Sequence, residues 1–279
     1  MRIFFAVVSF LLMFQLCARD TQYYKNVKSV RGGDVFINGI PQVSQKRNYC
    51  VPACVSMIVR YFDDRINQKK LAKLFSTSSK TGTLSTDIED AFFNETVLQD
   101  YELKKLYTLT EEDYASLMKF YESTAKNKRK KKHDSKAEEG NIFDNINPEV
   151  ARRVFPSARP QLERILYSVC RTYIASGIPV MWAVAMNLDP AVKMKGGHMR
   201  IIVGFNEQNN KLKKILYRDP WGGASKIKRV DFDDASTMTM ELYAIIPKGY
   251  TPGYSNYKTT YEKIHGHGRR VRSRKNVQQ

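Results

Sequence analysis

The run Cys50-Val51-Pro52-Ala53-Cys54-Val55-Ser56-Met57-Ile58-Val59-Arg60-Tyr61-Phe62 is the most informative part of the chain. Its apolar residues Ala53/Cys54, Met57/Ile58 and Tyr61 recur at helical spacing, which predicts an amphipathic helix. Pro52 falls in the first turn, where a missing N–H costs nothing. Cys50 therefore stands at a helix N-terminus, and the partial positive charge there favours a thiolate. Before it, after polar residues 19–33, Val35 to Val43 reads as a short extended segment interrupted by Gly39 and Pro41.

Beyond the helix the period stays helical for more than a hundred residues. Helices are predicted at about 67–76, 86–94 (opened by a Thr86/Glu89 capping box), 110–125, 148–155 and 160–176. The last starts at Pro160, carries an apolar stripe of Leu162, Ile165, Leu166, Val169, Tyr173 and Ile174, and stops at Gly177. The pattern then shortens to strands at 179–186, 198–205, 215–219 and 241–246, separated by turn-rich links. Helices first and sheet second is an α+β order.

The chain has 279 residues, of which 42% are hydrophobic, which excludes wholesale disorder. Its 46 Lys and Arg against 28 Asp and Glu give a formal charge of +18. Two short stretches carry most of that excess. Residues 126–132 (KNKRKKK) hold six basic side chains and no acid, and residues 258–279 hold seven against Glu262 alone. Such runs repel themselves and stay solvated, so they read as a surface loop and a basic disordered tail. Both could hold an anionic polymer or an anionic membrane surface; no nucleic-acid motif accompanies them.

At the N-terminus Met1 and Arg2 precede an apolar run from Ile3 to Phe14, and small Ala18 precedes charged Arg19 and Asp20. This is the form of a secretory signal over residues 1–18, and it predicts export to the periplasm, the cell envelope or the extracellular space. The mature chain then keeps Cys50, Cys54 and Cys170. An odd number of cysteines leaves a thiol unpaired in an oxidising compartment; Cys54 and Cys170, both on apolar helix faces, could pair. No CxxC pair occurs, and His265-Gly266-His267 lacks a nearby third ligand, so neither a metal nor any other cofactor is expected.

Of the four histidines, His133 lies in the lysine run and His265 and His267 in the basic tail. Only His198 begins an ordered apolar strand, and it is the base available to a cysteine nucleophile. Such a nucleophile needs a depressed pKa, a base within reach and donors for the oxyanion. Asp219, at the end of the next predicted strand, can fix the imidazole tautomer. A side-chain amide ahead of Cys50, with the Cys50 N–H, can bind the oxyanion: Gln45 is the first candidate and Gln42 the fallback. Trp221 either shields the His–Asp pair from water or packs on the core.

Pro41-Gln42-Val43-Ser44-Gln45, then Tyr49 to Cys54 and the helix, then Gly197-His198 opening a strand that ends at Gly204-Phe205, then Arg218-Asp219-Pro220, resembles the double-glycine (bacteriocin-leader) peptidase-like group of the papain-like cysteine peptidases. The resemblance implies a papain-like α+β fold, a helical half bearing the nucleophile and an antiparallel sheet half bearing His and Asp. It implies Cys50 as nucleophile, His198 as general base and acid, Asp219 as orienting residue, Gln45 as oxyanion donor, and a peptide or protein as substrate. Two departures stand out: Val51 occupies the position after the cysteine where the group usually has Gly, and Gln45 stands five rather than six residues before it. The expected organisation is an N-terminal arm at 19–38, a peptidase-like domain at 39–248 with an insertion at about 95–147, and a tail at 249–279. The alternatives are an acyl transferase using the same Cys-His-Asp set and a non-catalytic domain of the same fold that holds an anionic partner.

Overall fold

The computed structural model describes residues 23–30, 32–126, 150, 154, 159–186, 196–221 and 226–253. The 50–62 run forms helix α1, Cys50–Tyr61, with Cys50 as its first residue. Every side chain from Val51 to Val59 is buried and Arg60 alone is exposed before the helix ends. The helix is thus apolar nearly all round rather than amphipathic, as an element enclosed by others must be. Its one buried hydroxyl, Ser56, donates to the Ile66 carbonyl at 2.8 Å.

Five further helices follow among the described residues: α2 (Gln68–Leu74), α3 (Ser85–Asn94), α4 (Glu111–Lys126), α5 (Arg159–Thr172) and α6 (Phe232–Met238). Asn67 caps α2 by accepting from the Lys69 and Lys70 amides. The capping box expected at Thr86/Glu89 does not form. Helix α3 begins at Ser85 behind Leu84, and Glu89 instead pairs with Lys105. The helix expected over 160–176 ends at Thr172 and continues as a tighter turn, Ile174–Ser176, before Gly177 at φ +80°.

The sheet comprises β1 (Val27–Val30), β2 (Asp34–Ile37), β3 (Tyr101–Thr108), β4 (Val180–Met186), β5 (Gly196–Gln208), β6 (Lys211–Arg218), β7 (Lys228–Asp231) and β8 (Thr239–Pro247). Every pair in it is antiparallel. The spatial order is β1-β2-β5-β4-β8-β3, with β6 on β5 and β7 on β6. Strand β5 is long enough to pair with β4, β2 and β6 at once. At Gly204 a side chain would meet the Val35 carbonyl at 2.5 Å, so glycine lets β2 approach there. The four strands predicted from sequence are present: β5, β6 and β8 run longer than expected, and β4 begins one residue later than expected.

Two stretches have more structure than their sequence suggested. The segment expected as an arm ahead of the domain supplies β1 and β2, and Tyr23 packs its ring against Phe62 and Tyr250 at 4.8 and 5.5 Å. The stretch expected as an insertion opens with β3, paired with β8 along its length. The expected signal segment, most of the 126–132 run, nearly all of the 148–155 helix, the tail beyond Gly253, and His133, His265 and His267 lie outside the described residues.

Helix α1 packs against β5, and the Cys54 thiol donates to the Met199 carbonyl at 3.4 Å. Cys54 and Cys170 are both buried free thiols and form no disulfide. A helical half with Cys50 at a helix start, set against an antiparallel sheet bearing His198 and Asp219, is an α+β, papain-like architecture. No helix among the described residues is long and apolar enough to cross a membrane.

Candidate active site

Strand register brings the site residues together. Ile201 faces Arg218 across β5 and β6, so Asp219, one step beyond, comes alongside Arg200. Residues two apart on a strand share a face, so His198 and Arg200 both reach this carboxylate. His198 Nε2 lies 2.9 Å from Asp219 Oδ1, and the Trp221 amide donates to the same oxygen at 2.8 Å. Arg200 Nε lies 3.2 Å from Oδ2, and Lys228 Nζ lies 3.8 Å from it. The Arg200 contact is a charge pair whose angles fall short of a hydrogen bond. Arg200 is 0% exposed, with its guanidinium 4.7 Å from the Tyr217 ring centre and 5.9 Å from that of Trp182.

Cys50 reaches His198 from the other side. Cys54, one turn along α1, is fastened to the backbone immediately after His198, which fixes how closely the helix start approaches the imidazole. Burial pushes the Cys50 thiol up, but its hydrogen bond to His198, the charge of that ring and backbone hydrogen bonds at Met199 and Val51 outweigh it. The thiol lies below its ordinary value. Burial pushes His198 down, but hydrogen bonds to Asp219 and Cys50 and the charges of both raise it overall. Burial likewise opposes ionisation of Asp219, yet His198, Arg200 and the Trp221 amide hold it down at about 2. Low thiol, high imidazole and ionised carboxylate are the conditions for a thiolate–imidazolium pair. Cys54, by contrast, is driven well up by burial and by the nearby Cys50 and Asp219 charges, which suits it to a structural role.

The two glutamines ahead of Cys50 divide their tasks. Gln42 Nε2 donates to the Asp219 carbonyl at 2.8 Å, and Arg218 donates to Gln42 Oε1 at 3.3 Å, so both ends of this amide hold the Asp219 turn. Gln45 is tied by its backbone N–H to the Pro220 carbonyl at 2.8 Å, and its side-chain Oε1 is buried with no hydrogen-bond partner among the described residues. Gln45 lines the same cleft as Cys50. Gln68 stitches this loop to α2, donating to the Ser44 carbonyl at 2.8 Å and accepting from the Lys46 amide at 3.0 Å.

A cleft of about 680 Å³ opens over Cys50 and His198. It is lined by the 80–85 segment and Ile88, by the adjoining ends of β4 and β5, by Met240 and Glu241, and by the Thr108–Glu111 turn with Tyr114. Val51 forms part of the wall beside the nucleophile. Trp221, 38% exposed, presents its ring edge-on to His198 at 6.2 Å between centres. Trp221 thus packs beside the imidazole and lines the cleft. Tyr121 Oη lies 3.1 Å from both the Met186 and Gly196 carbonyls and spans the ends of β4 and β5 at the cleft. Among the described residues no group of three or more His, Cys, Asp or Glu is placed to hold a metal.

Cys50, His198 and Gln45 thus line one cleft, and Asp219 stands against His198. Sequence reasoning missed Arg200 and the role of Gln42. The signal for Arg200 was present: an arginine two residues after His198 inside the apolar run Met199 to Phe205.

The family described as the Peptidase_C39 like family matches residues 37–146 and 157–247. Among solved structures, the chain is similar to the peptidase domain of Streptococcus ComA, a bi-functional ABC transporter involved in a quorum-sensing pathway. The two are 15% identical, with a TM-score of 0.39, over 75% of this chain and 100% of that one. No curated protein matches the chain.

Proposed function

The chain belongs to the Peptidase_C39 like family, and from that premise we propose that it is an exported cysteine peptidase that cleaves peptide bonds through a thioester on Cys50. The observation that carries this reading is the joining of Cys50 to Asp219 through His198 at the floor of an open cleft, with the thiol lowered and the imidazole raised. The Cys50 thiolate attacks the scissile carbonyl carbon, and the resulting oxyanion is bound by the Cys50 N–H and the Gln45 amide. The His198 imidazolium gives its proton to the departing amine as the C–N bond breaks and a thioester remains. Water, deprotonated by His198, then attacks the thioester, releasing the acid and restoring the thiolate. Asp219 keeps the ring oriented and stabilises its charged form throughout.

Export rests on the N-terminal sequence pattern, and peptide as the substrate class rests on family membership. The test is turnover of a peptide library by the purified chain and by Cys50→Ala. Hydrolysis confined to the parent supports the proposal; equal hydrolysis in both overturns it. Capture of the acyl group by an added amine in preference to water would make the protein an acyl transferase instead.

A further inference from the structure

We infer that Glu241 is the specificity carboxylate of this cleft and that the protein selects peptides with a lysine or arginine close to the scissile bond. The inference rests on the peptidase reading above and names the substrate class of the same site.

In a regular strand, successive side chains point to opposite faces. Met240 and Glu241 nevertheless both line the cleft. The cause is a bulge: Ala183 faces Glu241 but Val184 faces Thr239, so Met240 is the extra residue. Bulges re-aim side chains in this way. Glu241 is half-buried. Ser85 Oγ lies 2.9 and 2.7 Å from its two oxygens, and Thr108 Oγ1 lies 3.5 Å from Oε1. Both hydroxyls donate to the carboxylate and bring no charge to it. Among the described residues no Lys or Arg forms an ion pair with it; the nearest candidate along the neighbouring strand, Lys105, pairs with Glu89.

Leu84, Ile88, Met186 and Met240 line the cleft with it, together with hydroxyl side chains, a second carboxylate, Glu111, and one cation, Lys80. A carboxylate held by hydroxyls and set beside apolar side chains suits a substrate side chain with an aliphatic stem and a cationic head. Placement relative to the chemistry follows from the register. Met199, next to His198, faces Ala183 on β4, and Ala183 faces Glu241 on β8. Two inter-strand steps of about 4.8 Å put the Glu241 backbone roughly 10 Å from the residue after the base. A bound strand advances about 3.3 Å per residue, so the selected residue lies within about three positions of the scissile bond.

The test uses peptides carrying lysine or its uncharged analogue norleucine at single positions, from three before to three after the bond. In the parent, lysine is expected to exceed norleucine at one position by on the order of 10- to 100-fold in kcat/KM, the range of a charge-assisted hydrogen bond. That ratio should fall as salt rises. Glu241→Gln should bring it down at least tenfold, through loss on the lysine peptide, and Glu241→Lys should turn preference toward a glutamate peptide. Binding of the same peptides to Cys50→Ser reads the pocket without turnover, so a silent enzyme still tests the inference. Equal binding of lysine and norleucine peptides at every position, or a lysine preference that survives Glu241→Gln, would overturn it.

Discussion

Arg200 Nε lies 3.2 Å from Oδ2 of Asp219, the carboxylate oxygen that His198 does not use. Both side chains are buried, so removing the cation leaves a carboxylate that water cannot reach. Arg200→Met is expected to cost about 3–5 kcal/mol of stability, the loss seen when one partner of a buried pair is deleted. The Asp219 carboxyl should also titrate higher, moving the acid-unfolding midpoint upward. Arg200→Lys should recover part of both, with Lys228 sharing the oxygen. Acid titrations followed by circular dichroism check this; an unchanged midpoint in Arg200→Met would show that the pair is not coupled to the carboxylate.

Asp219 itself sets an acid limit. Its carboxyl is held at about 2, below the roughly 3.9 of an unfolded aspartate. Its contribution, about 2–3 kcal/mol, is present above the unfolded value and is lost as pH falls from about 4 toward 2. In Asp219→Asn that pH dependence should disappear. Peptide cleavage should drop on the order of 10³–10⁴-fold because the imidazole loses its oriented, charge-stabilised state.

Gln45 and Gln42 should separate kinetically. Gln45→Ala removes a donor used when the oxyanion forms, so kcat is expected to fall on the order of 10²–10³-fold with little change in KM. Gln42→Ala loosens the turn that carries Asp219, and its signature is a shifted pH profile together with a lower melting temperature. Identical effects of the two substitutions would contradict this division.

The nearness of Cys50, His198 and Asp219 was legible in the sequence because it rests on local patterns: Cys50 at a helix start, His198 in an apolar strand and Asp219 just after the next one. Gln42 was not, because its task depends on a contact across 177 positions. Nor was the sheet complete in the sequence. Strand β3 alternates poorly, with Lys104 and Lys105 adjacent and a bulge before Tyr107, and β1 and β2 are four residues each. Such short or irregular strands form through their partners rather than through their own periodicity. The capping box at Thr86/Glu89 failed for a tertiary reason, since Glu89 is drawn to Lys105 on β3 and Ser85 to Glu241 on β8.

The segment ahead of residue 39 should prove integral to stability. Gly177 has φ +80°, and a side chain there would meet the Tyr23 carbonyl at 2.3 Å. Gly177→Ala combines backbone strain with displacement of the Tyr23 aromatic cluster, and it should cost at least about 1–3 kcal/mol. Deleting residues 23–37 should lower the unfolding midpoint further. Unchanged denaturation by either would mean that these strands do not contribute to the core.

The thiolate–imidazolium pair is the centre of the account, and it is read most directly by the rate at which a small neutral thiol-directed electrophile modifies Cys50 from pH 4 to 9, in the parent and in His198→Ala. The lowered thiol and raised imidazole predict fast labelling that begins well below the ~8.5 of a free thiol and is lost with His198. Slow labelling that follows an ordinary thiol titration in both proteins would contradict it.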